Sequence, residues 1–445
     1  MAAMAYCFAA VLAVAPPAVA QTAAEAAEQS ISDILGQPDD DSDQYSHLAE
    51  RIERAEAATA ERELEEIVDK LENDHHPSHP ELIRPLTLLG DAQSAQQEYS
   101  KALEAYGRAV HIARVNNGLF DPSQIELVYR EANTHANLGD LTEALNREEY
   151  AYEIMKRSFR NYDPGLITGL ERLAQFYLKT HNYFAARVFF QRALAVHRTN
   201  GSDMSSDSLP ALRGVALTYR LERFPPFYIV SSKDTRASGP SPSLDPAELG
   251  MQHISINNFH EGERALQAIV QIVQAQVPPE PKTLQSSILD LADWHLLWQR
   301  ANEANLLYGH IFNEMAALGE NPMEMFGSPT LIYLPAPRPP SPPTLSRRLV
   351  EEQGVVTLQF QVTQAGRIKN LKTVHSHPPK MMDFQIRRSM RLAVFRPSLT
   401  DGRAQTVDNY TYTYEFPYFP SAPAKAPPEP TQDEPDTEST QGTKR

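Results

Sequence analysis

Residues 83–110 have the sequence IRPLTLLGDAQSAQQEYSKALEAYGRAV, and their pattern recurs every 42 residues along the chain. A small residue opens the second half of each unit, at Ala102, Ala144 and Ala186. A proline opens the first half, at Pro80, Pro122 and Pro164. Self-similarity at such a period is typical of proteins built from stacked structural repeats.

The spacing has a physical cause. Small residues at fixed positions let two antiparallel helices approach closely, and the residue four places later fills the gap on the same face. The filling positions are Tyr106, Glu148 and Phe190, and the same register continues outward to Ala60, Leu64, Gly262 and Ala304. Asp121 and Asp163 stand before their prolines, as helix N-cap residues do. Each unit is therefore predicted to be a helical hairpin.

The unit from Ile83 to about Asn116 resembles a tetratricopeptide repeat through its apolar and small positions, which are Leu86, Leu89, Gly90, Tyr99, Ala102, Tyr106 and Ala109. The period exceeds that family's usual 34 by about two helical turns and is similar to kinesin-light-chain-type arrays. The expected fold is mainly α: a right-handed α-solenoid of roughly six hairpins over residues 44–320. A loop insertion is expected around residues 224–245, with two more hairpins after it, anchored by Gly262 and Ala304.

The resemblance also implies a binding groove, because this family binds peptides on the inner face of the first helices. Carried onto this register, the groove positions are Arg84, Asp91, Tyr129, Asn133, Glu171, Gln175, Arg213 and Arg220. Their mixture of polar, amide and aromatic side chains suits peptide recognition, and an ordinary solvated helix face is the alternative for each of them.

The periodicity changes after residue 320. Prolines between residues 335 and 343 predict a stiff, extended linker over residues 321–345. Beyond it, Val356, Leu358, Phe360 and Val362 alternate with polar residues, which is the pattern of a half-buried strand. A second strand around Ile368, a helix with Met382, Ile386, Met390 and Ala393 on one face, and a third strand at residues 410–416 complete a strand-strand-helix-strand module.

This module is similar to the C-terminal domain of TonB-family energy transducers. The matching motifs are Gly354-Val355-Val356, Gly366-Arg367-Ile368 and Phe395-Arg396-Pro397. The resemblance implies a small α+β domain at residues 346–420 whose last strand can pair with an extended peptide of an outer-membrane receptor. Tyr410, Tyr412 and Tyr414 are the implied residues of that edge, and burial of their side chains is the alternative interpretation.

The two ends of the chain differ from the rest in composition. Residues 1–20 are apolar, and Ala18-Val19-Ala20 resembles a cleavage site, which predicts a signal peptide and a periplasmic protein. If the segment is not cleaved, the alternative is an inner-membrane anchor; if it is, no stable membrane span is expected. Residues 21–43 are interpreted as a flexible leader and residues 421–445 as a disordered tail.

The net charge and the absence of known motifs argue against several classes of function. The net charge of -16 argues against nucleic acid as a partner, and no phosphate-binding loop or hydrolase motif is present. His75, His76 and His79 fall in a loop between units, so neither a metal site nor a cofactor is predicted. We expect a non-enzymatic periplasmic scaffold that binds a protein or peptide of the cell envelope; the alternative is a TonB-type energy transducer held by an uncleaved N-terminal segment.

Overall fold

The computed structural model of this chain describes residues 42–226, 258–276, 280–337 and 352–419. The predicted signal peptide, nearly all of the leader and the tail lie outside the described residues. Within those ranges twelve long helices pack as six consecutive hairpins. Their bounds are α1 Ser42–Glu53, α2 Ala57–Asp74, α3 Ile83–Ala95, α4 Tyr99–Asn117, α5 Ile125–Leu138, α6 Leu141–Ser158, α7 Leu166–Lys179, α8 Tyr183–Thr199, α9 Leu209–Arg223, α10 Phe259–Gln274, α11 Pro281–Leu297 and α12 Ala301–Ala317.

The repeated small residues hold the hairpins together, as predicted. Ala102, Ala144 and Ala186 are fully buried. In the second hairpin, the Tyr106 ring lies over Gly90, where an added Cβ would come within 2.4 Å of the ring. Close helix contact therefore depends on a residue without a side chain at position 90.

The N-cap prediction is confirmed, with one refinement. The Asp121 carboxylate accepts the Ser123 backbone N–H at 2.9 Å, and Asp163 accepts that of Gly165 at the same distance. In the first case Pro122 begins a one-turn 3-10 helix, and α5 starts three residues later at Ile125. The aspartates thus satisfy backbone donors that a helix start leaves unpaired.

The fifth hairpin differs from its prediction. The helix α9 packs against α10, so the helix that contains Gly262 completes a hairpin begun before the insertion. The expectation that Gly262 and Ala304 anchor two complete hairpins after the insertion is therefore wrong. From residue 258 onward in the described chain, only α11 and α12 form a complete hairpin. The insertion separates two helices that belong together, and most of it lies outside the described residues.

The C-terminal module has the predicted order of elements. Strand β2 (Glu352–Val362) is central in an antiparallel sheet, between β3 (Ile368–His377) and β7 (Val407–Tyr418). Helix α14 (Asp383–Met390) follows β3, and its Ile386 and Met390 are buried together with Phe360 and Phe395. The short strands β5 (Leu399–Thr400) and β6 (Arg403–Ala404) form a separate hairpin.

The predicted linker, residues 321–345, contains secondary structure that its proline content did not predict. A short helix α13 (Met323–Phe326) and a strand β1 (Thr330–Tyr333) lie in it. Strand β1 pairs antiparallel with β4 (Val394–Arg396) of the C-terminal module. Ile332 of β1 and Val394 of β4 share one core cluster with Leu296 and Tyr308 of the sixth hairpin.

The module therefore packs directly against the last hairpin. Arg396 forms an ion pair with Asp293 of α11, and Asn305 of α12 donates to the Gln364 carbonyl at 3.1 Å. Gly309 of α12 lies so close to the Gly402 carbonyl that a Cβ at position 309 would be 2.7 Å from its oxygen. Across the described ranges, no helix combines the length and apolar character of a membrane span.

Candidate protein-binding surfaces

The first helices of successive hairpins share one continuous face. We call it the first-helix face; it is formed by α3, α5, α7, α9 and α11. Ion pairs and hydrogen bonds join neighbouring helices directly: Arg130 of α5 reaches Asp91 of α3, and Arg172 of α7 reaches Asn133 of α5. The predicted groove residues up to Gln175 lie on three of these adjacent helices.

At the N-terminal end of this face, Asp91 is the acceptor of a small network. Arg130 Nε donates to Asp91 Oδ1 at 2.9 Å, and the Tyr106 hydroxyl donates to the same oxygen at 2.7 Å. Burial and the neighbouring carboxylate raise the pKa of Tyr106 well above its usual range. Arg84 lies beside this network with much of its side chain exposed. Desolvation of the remaining part, together with repulsion from Arg130, lowers its pKa.

The middle of the face is organised by Arg172. Its guanidinium makes a bidentate pair with the buried Glu148, at 2.9 and 3.0 Å, and donates to Asn133 Oδ1 at 3.1 Å. It also lies 3.7 Å above the centre of the Tyr129 ring. Such planar contacts favour arginine over lysine and fix the side chain in one position. Tyr129 is consequently buried beneath Arg172, whereas Asn133 is exposed.

Glu171 of α7 has a buried side-chain oxygen that is not satisfied. Burial raises its pKa to about 7, and its Oε1 atom is buried with no hydrogen-bond partner in the described part of the chain. An unpaired buried acceptor costs about 1–3 kcal/mol. The side chain is half-buried, as is that of Gln175 one turn later.

The C-terminal end of the face meets the C-terminal module. Arg220 Nη2 donates to the Ile332 carbonyl of β1 at 3.2 Å, so this predicted groove residue contacts the chain itself. Arg213 is exposed two helical turns before Arg220, on the same side of α9. Burial and the adjacent Asp293 raise the pKa of Asp290 to about 6, against the opposing effect of nearby arginines.

The second candidate surface is the outer edge of β7. This strand pairs only with β2 among the strands of residues 352–419. Tyr410, Tyr412 and Tyr414 stand opposite Phe360, Leu358 and Val356, all three of which are buried. The three tyrosines are half-buried against that core, which is the alternative considered from sequence.

The side chains that β7 offers to solvent are therefore the intervening ones. Thr411, Thr413 and Glu415 are exposed on the opposite face. Tyr410 is further held by its hydroxyl, which donates to the Pro329 carbonyl at 3.1 Å. Recognition at this edge would depend on backbone hydrogen bonds and on the threonine face.

Arg130, Glu148 and Arg172 were missed by the sequence interpretation. A signal for Glu148 was present, because it occupies the repeat position that holds Tyr106 and Phe190 in the adjoining units. A carboxylate at a core position needs a buried cation, and the arginine that meets it lies in the next first helix.

Comparison with known proteins agrees with this description of the C-terminal module. Residues 343–417 match the family model described as the C-terminal of the Gram-negative bacterial TonB protein. These residues are a TonB-type C-terminal domain. The match covers strands β2 to β7 together with α14 and the Arg396 motif, and it leaves the helical hairpins outside. A comparison with curated proteins found no match.

Solved structures that resemble the hairpins are tetratricopeptide-type arrays. Nearly identical TPR-like repeats from Podosopora anserina share 16% identity, with a TM-score of 0.40, over 54% of this chain and 97% of that one. BtubC from P. vanneervenii shares 14%, with a TM-score of 0.40, over 67% and 98%. The assignment of the helical part as an α-solenoid rests on its own 42-residue geometry.

Proposed function

We propose that the protein is a non-enzymatic interaction scaffold of the Gram-negative cell envelope. It binds an extended segment of a partner protein on the first-helix face, and its TonB-type domain adds a strand of an envelope protein at the β7 edge. The proposal rests on the first-helix face, where Arg130 and Arg172 fix neighbouring side chains and the buried Oε1 atom of Glu171 has no hydrogen-bond partner among the described residues.

The chemistry of the face supports an extended polypeptide as its ligand. Exposed Arg84, Asn133 and Arg213 offer hydrogen-bond donors along the solenoid, and Asn133 and Gln175 offer amide groups that pair with a peptide backbone. A donor from the ligand would satisfy Glu171 Oε1, which removes an existing cost of the unbound state. The ion pairs of Arg130 and Arg172 hold neighbouring side chains in place before binding, which lowers the entropic cost of association.

The TonB-type domain supports a contact in the envelope. Residues 346–420 contain eleven Lys and Arg against six Asp and Glu, so a local charge of +5 stands on a chain whose remaining residues carry -21. A basic domain with an unpaired strand edge suits an acidic, extended partner. An outer-membrane receptor is one such partner.

The cellular location of the protein distinguishes the proposed scaffold from the alternative, an energy transducer. A periplasmic scaffold requires cleavage after Ala20, whereas transmission of force from the inner membrane requires residues 1–20 to remain as an anchor. N-terminal sequencing of the protein from fractionated cells distinguishes them. A first residue of Gln21 supports the scaffold, and an intact N-terminus in the membrane fraction supports the transducer.

Site-specific photocrosslinking in intact cells tests the two surfaces. A photoreactive amino acid would replace Asn133 on the first-helix face, Thr413 on β7, or Leu306 on the outer side of α12 as a control; Leu306 is 75% exposed. We expect defined adducts from positions 133 and 413 and none from 306. Equal crosslinking at all three positions, or none at any, would contradict the proposal.

A further inference from the structure

The loop between the first two hairpins brings together three metal-ligating side chains. His75 ends α2 as its C-cap, His79 precedes Pro80, and Glu81 lies in the 3-10 turn that follows. This turn carries the Glu81 carboxylate back over the histidines. One ligand atom from each of the three lies within 4.8 Å of the others.

The separations fit a shared cation better than hydrogen bonds. His75 Nε2 is 3.5 Å and His79 Nδ1 is 4.0 Å from Glu81 Oε2. A charged imidazole–carboxylate hydrogen bond is about 2.7–2.9 Å long. Two ligands of a tetrahedral Zn²⁺, each about 2.0–2.1 Å from the ion, stand roughly 3.3–3.4 Å apart. The His75 distance is close to that spacing and the His79 distance is longer, so small side-chain movements would bring the three ligand atoms around one ion.

The two imidazoles are already arranged as a pair. Their rings are stacked, with centroids 4.3 Å apart and planes 16° from parallel. The backbone holds both residues, because the His75 N–H donates to Leu71 O at 2.9 Å and the His79 N–H donates to His76 O at 2.8 Å.

A cation can reach the three side chains from solvent, and a fourth ligand is available nearby. The side chains of His75, His79 and Glu81 are 38%, 35% and 58% exposed, so water and a cation can reach them. The His79 Nδ1 lone pair accepts only one long contact, from the Glu81 N–H at 3.4 Å. His76 lies in the same loop and, like a water molecule, can supply a fourth ligand.

We propose that His75, His79 and Glu81 bind one divalent transition-metal ion, of the class that prefers imidazole with carboxylate, such as Zn²⁺ or Ni²⁺. Imidazole ligands favour these ions over Mg²⁺ and Ca²⁺. The ion would join the end of α2 to the start of the second hairpin, and so would fasten the N-terminal hairpin to the array.

Isothermal titration of the untagged full chain with Zn²⁺ tests the site. We expect one saturable site per chain, and we expect His75→Ala, His79→Ala and Glu81→Gln each to weaken it by at least about tenfold. His310→Ala is the matched control, because His310 is 64% exposed and faces a single carboxylate, Glu314, at 3.9 Å. Circular dichroism of each variant checks that the fold is retained.

A second readout examines the coordination directly. Co²⁺ in place of Zn²⁺ should give the intense visible absorption of a four-coordinate ion, lost in His79→Ala and kept in His310→Ala. The proposal is overturned if Zn²⁺ binds without saturation, if the three loop variants bind as the unaltered chain does, or if an excess of Mg²⁺ displaces Zn²⁺.

Discussion

Replacing Arg396 by methionine is expected to destabilise the joint between the sixth hairpin and the TonB-type domain by about 3 kcal/mol. Arg396 makes two hydrogen bonds to Asp293, at 3.1 and 2.7 Å, and the two side chains are only 12% and 13% exposed. Removing one partner of a buried pair costs about 3–5 kcal/mol, because the other charge stays buried. The lower end applies, since Asp293 still accepts the Tyr308 hydroxyl at 2.7 Å.

Urea unfolding followed by tryptophan fluorescence measures this effect. Both tryptophans of the chain, Trp294 and Trp298, lie at α11 beside Asp293, so their emission reports on this joint. Arg403→Met removes an exposed arginine of the same domain and serves as the control.

A second substitution tests whether the destabilisation comes from the unpaired charge of Asp293 or from the lost packing of Arg396. Asp293→Asn in the Arg396→Met background removes the buried charge and should recover most of the loss. The reasoning would be refuted if Arg396→Met lost less than about 1 kcal/mol, as exposed pairs do, or if the double variant were no more stable than the single one.

Two further predictions concern the solenoid. Gly90→Ala should lower the free energy of unfolding by about 1–3 kcal/mol, because the new methyl group displaces the Tyr106 ring. Gly107→Ala, whose Cβ would meet only one atom at 3.7 Å, should raise it by up to about 1 kcal/mol in the same urea titration. The effect of Glu171→Gln on stability should depend on pH. The pKa of Glu171 in the folded state is about 7, above the ordinary 4.5, so the stability of the unaltered protein falls as the pH rises from 4.5 to 7. Thermal melts should therefore show the variant more stable by up to about 3 kcal/mol at pH 8 and equal at pH 4; a constant difference would contradict this cause.

The repeat register was predictable because its signal is strong and local. Alanine at positions 102, 144 and 186 is buried for the reason inferred, which is close contact between helices. The alternation around Leu358 likewise predicted β2, since one face of that strand is buried and the other is not. Where the position of a residue is set by contacts within its own hairpin or sheet, the spacing of residues in the sequence is sufficient to predict it.

Long-range pairings were not predictable in the same way. The strand β1 has only four residues and lies next to a proline-rich segment, and its partner β4 lies about sixty residues further along the chain. Arg172 meets Glu148 across a repeat boundary. Each contact depends on geometry that periodicity does not encode.

The pairing of β1 with β4 also fixes the distance that a partner must span to bind the first-helix face and the β7 edge at the same time. Because the domain is fastened to α11 and α12, the span between Asn133 and Thr413 is a property of the folded chain, and the proline-rich segment does not set it. A partner with two recognition segments would gain avidity only if the tether between them matched that span. Shortening the partner's tether below it would reduce binding to that of a single segment.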